Sequence, residues 1–354
     1  MARVLMKGNE AIAEAAIAAG CRFFFGYPIT PQSEVPEYFS IRMPEVGGTF
    51  VQAESEVAAV NMLYGAAGTG VRAMTSSSSP GFSLKQEGIS YIACAEIPAV
   101  VVNIMRGGPG LGSIQASQAD YFQATKGGGH GDYRLLVYAP ASIQEACDLM
   151  ATAFDRSQKY RCVSMILGDG MLGQMMEPVE IKPVEVKQYD NSWATVGWAD
   201  KSRPRAVVNS LYITHEELGA VNKRLQAKYK EIAANEVMVE EFNMDQPEFV
   251  IVAFGTVARI AKNAVAKLKE QGINVGLIRP ITVWPFPYCS LEKAAAMNSV
   301  KGFLTVEVSA GQLVEDVRLG VNGKKPVELH NTLGSVYPTP DEIVESILAL
   351  KGRK

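Results

Sequence analysis

From residue 8 to about residue 177, short apolar runs (CRFFFGYP, AVVVNIMR, LLVYAP and CVSMILGD) alternate with Ala-rich segments of helical period. An apolar run of this kind is a strand buried on both faces. Strands separated by helices pair in parallel, because each helix returns the chain to the same edge of the sheet. The alternation therefore predicts an α/β unit around a largely parallel sheet. It resumes near Pro247, where EFVIVAFG leads into TVARIAKNAVAKLKEQG, a helix ending at Gly272, and INVGLIRP, GFLTVEVS and KPVELHN read as further strands. Thr339-Pro340-Asp341-Glu342 opens the last helix with an N-cap residue, a proline at N1 and two first-turn acids.

Between the two units, residues 178–213 are polar and punctuated by proline, with neither period, as in an extended linker. Thr214 and Glu217 then have capping-box spacing, and EELGAVNKRLQAKYKEIAANEVMVEEF reads as a long, partly exposed connecting helix. The expected organisation is a first α/β unit over 1–177, a linker with its helix over 178–246, and a second α/β unit over 247–354.

Polar groups gather where strands should end. The segment FVQAESEVAAVNMLYGAAGTG, residues 50–70, carries Glu54 and Glu56 at the start of an otherwise apolar helix. A buried carboxylate must find a partner, become protonated or serve chemistry. GYPITPQSE puts Thr30 and Ser33 at a strand end, either as ligand contacts or as caps of the next helix. TSSSSPGFSLKQEGISY, residues 75–91, follows VRAMT with four serines and a Pro-Gly turn, suited to a polar ligand or to solvent. In VVVNIMRGGPGLG, Arg106 emerges from a strand into a glycine-rich loop, where a guanidinium can clamp a carboxylate bidentately or pair with a neighbouring acid. His130, in KGGGHGDYR, is one of three histidines and is open to acid–base work, substrate contact or a structural role.

Several classes are excluded. A net charge of −3, a pI near 5.8 and scattered basic residues leave no footprint for nucleic acid. No apolar run reaches the roughly 18 residues of a membrane span, and MARVLMKGNEAIAEAA lacks a secretory core, so a cytoplasmic protein with no membrane partner is expected. Cys21, Cys94, Cys147, Cys162 and Cys289 are widely spaced without a CxxC, which predicts buried free thiols and no metal site in this chain. GGPGLG is neither a Walker loop nor a GxGxxG between strand and helix, which argues against a nucleotide-binding dehydrogenase.

Taken in order, GNEAIAEAAIAAG, GYPITPQSE, QAESEVAAVNMLYGAAGTG, SSSSPGFSLKQEGISY and MRGGPGLG resemble the alpha subunit of the 2-oxoacid:ferredoxin oxidoreductases. RPITVWPFP and VEVSAGQLVEDVR extend the resemblance over essentially the whole chain. The branched-chain, 2-oxoisovalerate type is the nearest in these motifs. The 2-oxoglutarate type, whose glycine-rich loop reads differently after RGGP, is the alternative.

The resemblance implies a fold of the α/β class, with a pyrimidine-binding domain of the thiamine diphosphate enzymes followed by a transketolase C-terminal-like domain. It implies CoA-dependent oxidative decarboxylation of a 2-oxo acid to acyl-CoA and CO2, with reduction of ferredoxin. Glu56 lies nine residues before Gly65, as the superfamily pattern requires, and Glu54 does not. Glu56 would then hydrogen-bond N1′ of the aminopyrimidine and favour its imino tautomer. Pro28, Ile29, Ser78 and Ser79 would line the cofactor, Thr30 and Arg106 would meet the 2-oxo acid, and His130 is a possible further contact.

Gly168-Asp169-Gly170 with Asn191 downstream imitates the diphosphate–magnesium motif of thiamine enzymes, but MLGQMMEPVEIKPVEV is not the helix–strand unit expected between them, and the match reads as coincidence. Magnesium and the diphosphate therefore fall to a beta subunit, and iron–sulfur clusters to partner subunits that include a gamma subunit and a small ferredoxin-like subunit. A chain that only scaffolds such partners is the competing reading, and convergence of Glu56 and Arg106 on one cleft separates the two.

Overall fold

The computed structural model describes residues 3–199, 201–202 and 204–352. The chain opens with β1 (Val4–Lys7), α1 (Gly8–Ala18), β2 (Phe23–Gly26), α2 (Glu34–Glu45), β3 (Thr49–Gln52) and α3 (Glu56–Ala67). It continues with β4 (Ala73–Ser77), α4 (Ser79–Cys94), β5 (Ala99–Met105), α5 (Tyr121–Thr125), β6 (Leu136–Tyr138) and α6 (Ile143–Tyr160). β7 (Val163–Asp169), the short α7 (Gly170–Gln174) and β8 (Met176–Val179) precede a stretch without regular structure. α8 (His215–Asn235), β9 (Val239–Phe242), β10 (Phe249–Val252), α9 (Gly255–Glu270), β11 (Val275–Pro280) and β12 (Thr282–Trp284) follow. The chain closes with α10 (Tyr288–Ala296), β13 (Gly302–Glu307), α11 (Leu313–Val321), β14 (Val327–Asn331) and α12 (Pro340–Gly352).

The main sheet has the order β12-β6-β7-β5-β4-β2-β3 and is parallel except for β12. The second has the order β14-β13-β10-β11-β9, parallel except for β9. β1 and β8 form a small antiparallel pair. The four apolar runs are β2, β5, β6 and β7, and β4, β5 and β7 are buried at every residue, as a sheet covered by helices on both faces requires. α8 is more amphipathic than its charges suggest. Val221, Leu225, Tyr229 and Ile232 recur on one face and pack into the first unit's core, while the remaining faces carry the charge.

The two units are not separate cores. Val250, Val252 and Phe254 point into the large core of the first unit, whereas Phe249, Ile251 and Ala253 face a second core with α9 and α12. Alternation along one strand thus welds the halves together. β12, which its position in the sequence assigns to the second unit, adds to the edge of the first sheet. Arg279 strengthens the junction with paired contacts to Glu145 at 2.8 and 2.9 Å and a third to Glu240 at 2.6 Å.

Candidate active site

Four adjacent parallel strands, β5-β4-β2-β3, end at one edge, and polar residues follow each end within four positions. β3 lies on one side of β2 and β4 on the other, so the loops after β2 and β4 diverge and open a crevice of the kind in which α/β sheets bind ligands. The strand ends deliver Arg106 after β5, Ser78 and Ser79 after β4, Thr30 after β2 and Glu56 after β3.

Glu56 is the first residue of α3, behind the N-cap Ser55, whose side chain accepts from Ala58 N at 3.2 Å. It is only 6 % exposed, and its carboxylate makes no hydrogen bond or ion pair with any other described residue. Glu54, two residues earlier, is exposed. The Glu56 carboxylate rests against the start of α4. A Cβ built on Gly81 would stand 2.4 Å from Glu56 Oε1 and 2.3 Å from Ser77 Oγ. The hydroxyls of Ser77 and Ser78 are buried and also lack partners. The Glu56 carboxylate and these two buried hydroxyls, which have no partner among the described residues, form a polar set at the end of β4 that suits a polar ligand.

Arg106 and Thr30 are joined directly. Arg106 Nη1 donates to the Thr30 carbonyl at 2.9 Å and Nη2 to the Leu111 carbonyl at 3.0 Å, while the buried Nε has no partner. The guanidinium therefore pins the glycine-rich loop to the loop after β2, and its partners are carbonyls rather than a neighbouring acid. Asn9 and Gln174 hold the Pro31 carbonyl from the other side, at 2.7 and 2.8 Å. Thr30 is exposed and lines a cleft of about 360 Å³ with Ser33, Ile114 and Gln115. Pro28 is exposed and Ile29 half-buried in the same loop.

The Ser79 hydroxyl is already engaged. It donates to Asp120 Oδ2 at 2.6 Å and accepts from Arg106 N at 2.9 Å, and Asn103 Nδ2 also donates to Asp120 at 2.9 Å. Burial pushes the Asp120 carboxyl up, with these two bonds opposing the shift. Asp120 sits in a segment braced by the second unit, where Gln118 N donates to the Val308 carbonyl at 2.9 Å and Gln312 Nε2 to the Ala119 carbonyl at 2.7 Å. The second unit thereby fixes Arg106 through Asp120 and Ser79.

His130 is not brought to this edge. Its carbonyl accepts from Ser90 Oγ at 2.8 Å and its ring meets Tyr91 edge-on. Ser90 and Gly81 are nine residues apart on α4, roughly 13 Å along the axis. Asp169 and Asn191 are also kept apart. Asp169 is buried beside Leu172 N and the Thr256 hydroxyl, and Asn191 bonds the Gly70 carbonyl. Cys21, Cys147 and Cys162 are buried and their thiols are pushed up to about 12 by desolvation, Cys94 is half-buried and Cys289 exposed.

Lys85 is a neighbour of Glu56 that the linear sequence conceals. It is fully buried, and Nζ donates to Thr75 Oγ1 at 3.1 Å and to the Glu56 carbonyl at 3.4 Å. Its signal is helical: Phe82, Lys85, Ile89 and Ile92 share the inward face of α4, which places the lysine inside.

Residues 14–241 match the family model for the pyruvate flavodoxin/ferredoxin oxidoreductase thiamine diphosphate-binding domain, and residues 247–343 match pyruvate:ferredoxin oxidoreductase core domain II. The chain is 47% identical over 354 residues to ketoisovalerate oxidoreductase subunit VorB of Methanothermobacter thermautotrophicus, covering 99% of each. Its fold superposes on 2-oxoglutarate:ferredoxin oxidoreductase from Magnetococcus marinus with a TM-score of 0.88 and 24% identity, over 98% of this chain and 65% of that one. A split-gene transketolase superposes with a TM-score of 0.61 and 14% identity, over 99% of both chains. The α/β architecture expected, a thiamine-type unit followed by a transketolase-like one, is the architecture found. The chain belongs to the thiamine diphosphate-binding family of pyruvate flavodoxin/ferredoxin oxidoreductases, and within it to the 2-oxoacid:ferredoxin oxidoreductase type.

Proposed function

We propose that this chain is the catalytic alpha-type subunit of a 2-oxoacid:ferredoxin oxidoreductase that converts 2-oxoisovalerate and CoA to the acyl-CoA and CO2. The observation that carries the reading is the buried Glu56 carboxylate, left without a protein partner at the strand-end crevice of a thiamine diphosphate-binding family member. The substrate follows from the ketoisovalerate relative, which aligns end to end.

The residues present fit an aminopyrimidine. Gly81 leaves room for the Glu56 carboxylate, and the unsatisfied Ser77 and Ser78 hydroxyls supply donors and acceptors beside it. Thiamine diphosphate supplies the nucleophilic carbon and the electron sink for decarboxylation. Glu56 would hold the proton exchanged with N1′, seated where the start of α4 meets α3. Pro28, Ile29 and the Ser79 backbone border the ring, and Thr30 and Arg106 receive the 2-oxo acid at the mouth.

The mouth is open on one side. Val57, Leu84, Leu111, Ile114 and Met171 are exposed apolar side chains on the elements that frame the crevice, and Gly65 of α3 has no neighbour within 4 Å of its Cβ position. A face of this kind is covered in the assembly by the beta subunit, which brings the diphosphate site and magnesium. Among the described residues no cluster of His, Cys, Asp and Glu could hold a metal, and no helix is long and apolar enough to cross a membrane. The iron–sulfur clusters that pass electrons to ferredoxin are assigned to the companion subunits, and the complex to the cytoplasm.

The test is reconstitution. Purified with its partner subunits, the complex should reduce a viologen with CoA and 2-oxoisovalerate faster than with 2-oxoglutarate or pyruvate. The chain expressed alone should be colourless and inactive. A brown, active single chain, or a complex that prefers 2-oxoglutarate, would overturn the respective part of the reading.

A further inference from the structure

Lys85 has no exposed surface, and among the described residues no carboxylate pairs with its Nζ. A buried ammonium has three protons to place and a large desolvation cost to offset. Two oxygens meet it, Thr75 Oγ1 at 3.1 Å and the Glu56 carbonyl at 3.4 Å. Thr75 gives its own proton to the Phe25 carbonyl at 2.6 Å, which turns its lone pairs toward the lysine. A methionine would fill this space without the desolvation cost, so packing alone does not call for a lysine.

The surroundings point to Glu56. Gly81, Lys85 and Gly88 stand on one face of α4 at helical spacing, and all three press on α3. Gly81 abuts the Glu56 carboxylate, Lys85 bonds the Glu56 carbonyl, and Gly88 abuts Val60. The helix contact that seats the carboxylate also carries the charge.

We propose that Lys85 is a positioning residue for Glu56: its ammonium, anchored by Thr75 and by the Glu56 carbonyl, fixes a positive charge near that carboxylate and so moves the proton shared with N1′ toward the ring. The proposal rests on the thiamine diphosphate reading of Glu56. The step is a proton transfer alone, in which the O–H bond of the Glu56 carboxyl breaks, the N1′–H bond forms, and the remaining carboxylate is stabilised by the nearby cation. Burial pushes the Lys85 ammonium down to about 7, and Glu56 opposes that shift. The charge is therefore itself adjustable in the neutral range. Glu56 on α3 is the charged group that acts on Lys85 among the described residues, and Thr75 on β4 with the Phe25 carbonyl on β2 are its neutral neighbours.

The experiment uses the assembled complex without 2-oxo acid and reads two quantities: the dissociation constant of thiamine diphosphate, and hydrogen–deuterium exchange at thiazolium C2. Lys85→Gln keeps donors but no charge, and Lys85→Met keeps only bulk. At about pH 6, where the wild-type lysine is charged, both variants should exchange at least about tenfold more slowly with little change in cofactor affinity. The ratio of wild-type to variant rate should fall toward one as pH rises past the titration of Lys85.

Wild-type exchange in Lys85→Gln overturns the role of the charge, as does a rate ratio that does not change with pH. Failure of both variants to assemble makes the lysine structural and overturns the proposal too. Glu56→Gln, run in parallel, separates the two readings. If it exchanges normally, the thiamine reading itself falls; if it is slow while the lysine variants are fast, only the present proposal falls.

Discussion

Gly81 and Glu56 are packed so closely that a Cβ on Gly81 would stand 2.4 Å from Glu56 Oε1. Gly81 lies in the first turn of α4, where alanine would favour the helix by about 1 kcal/mol. Gly81→Ala therefore separates fold from site. The complex should assemble with normal helix content, while the displaced carboxylate weakens thiamine diphosphate binding by about tenfold or more. A fluorescence titration with the cofactor checks this, and unaltered affinity would remove Gly81 from the site.

Much of this geometry was legible in the sequence, and the reasons differ by element. β5, β7, β10 and β13 announce themselves because strands buried on both faces are mostly apolar, whereas β4 reads AMTSS and is buried with three hydroxyl residues. β3 reads TFVQ, β9 reads VEEF and β12 reads TVW; each is short and at a sheet edge, β3 and β9 are half-exposed, and none carries such a mark. The resemblance singles out Glu56 from Glu54 by the superfamily's spacing to Gly65, and Glu56 is the buried one of the two. The partners of Arg106 were not legible, because backbone carbonyls leave no residue signature. The Ser79 to Asp120 bond spans 41 residues, in a segment braced by the contacts of Gln118 and Gln312 between the units, which no local pattern marks.

Glu54 and Glu56 give a second prediction, since one is exposed and the other buried beside Gly81. Glu56→Gln should fold and assemble but lose most of the turnover rate, by the factor of about 100 or more expected for a positioned acid–base group. Glu54→Gln should keep turnover within about threefold, as a change at an exposed site does. Comparable losses from both would mean that burial does not select the functional carboxylate.

Lys85 makes stability depend on pH in a defined direction. Its folded value of about 7 lies below the reference of 10.5, so between these limits the unfolded chain binds more protons. The lysine's own contribution, read as the difference between wild type and Lys85→Met, should rise as pH increases through that window and be flat below it. The full difference corresponds to about 5 kcal/mol at low pH by the linkage relation. Lys85→Met should remove this component of the pH dependence and raise the denaturation midpoint of the complex at neutral pH. A variant less stable than wild type at pH 7 would show that the lysine contributes bonding rather than cost.

Arg106 is committed through two nitrogens to the Thr30 and Leu111 carbonyls, and its Nε is buried without a partner. Lysine keeps the charge but is a point donor that cannot span both carbonyls, so Arg106→Lys should release the glycine-rich loop from the loop after β2. Two consequences follow at different places. Protease should cut within residues 107–115 faster than in wild type. KM for the 2-oxo acid should rise about tenfold or more, in line with about 1.5–3 kcal/mol for a charge-assisted hydrogen bond. The pair of readings assigns the role. Faster cleavage with unchanged KM makes Arg106 a loop clamp alone, whereas a raised KM that persists for every 2-oxo acid of a size series places the guanidinium at the carboxylate they share. Ser79→Ala removes only the acceptor of Arg106 N and leaves both guanidinium bonds to carbonyls, so it should be cut within residues 107–115 near the wild-type rate, and fast cleavage there would move the clamp from the guanidinium to the backbone bond.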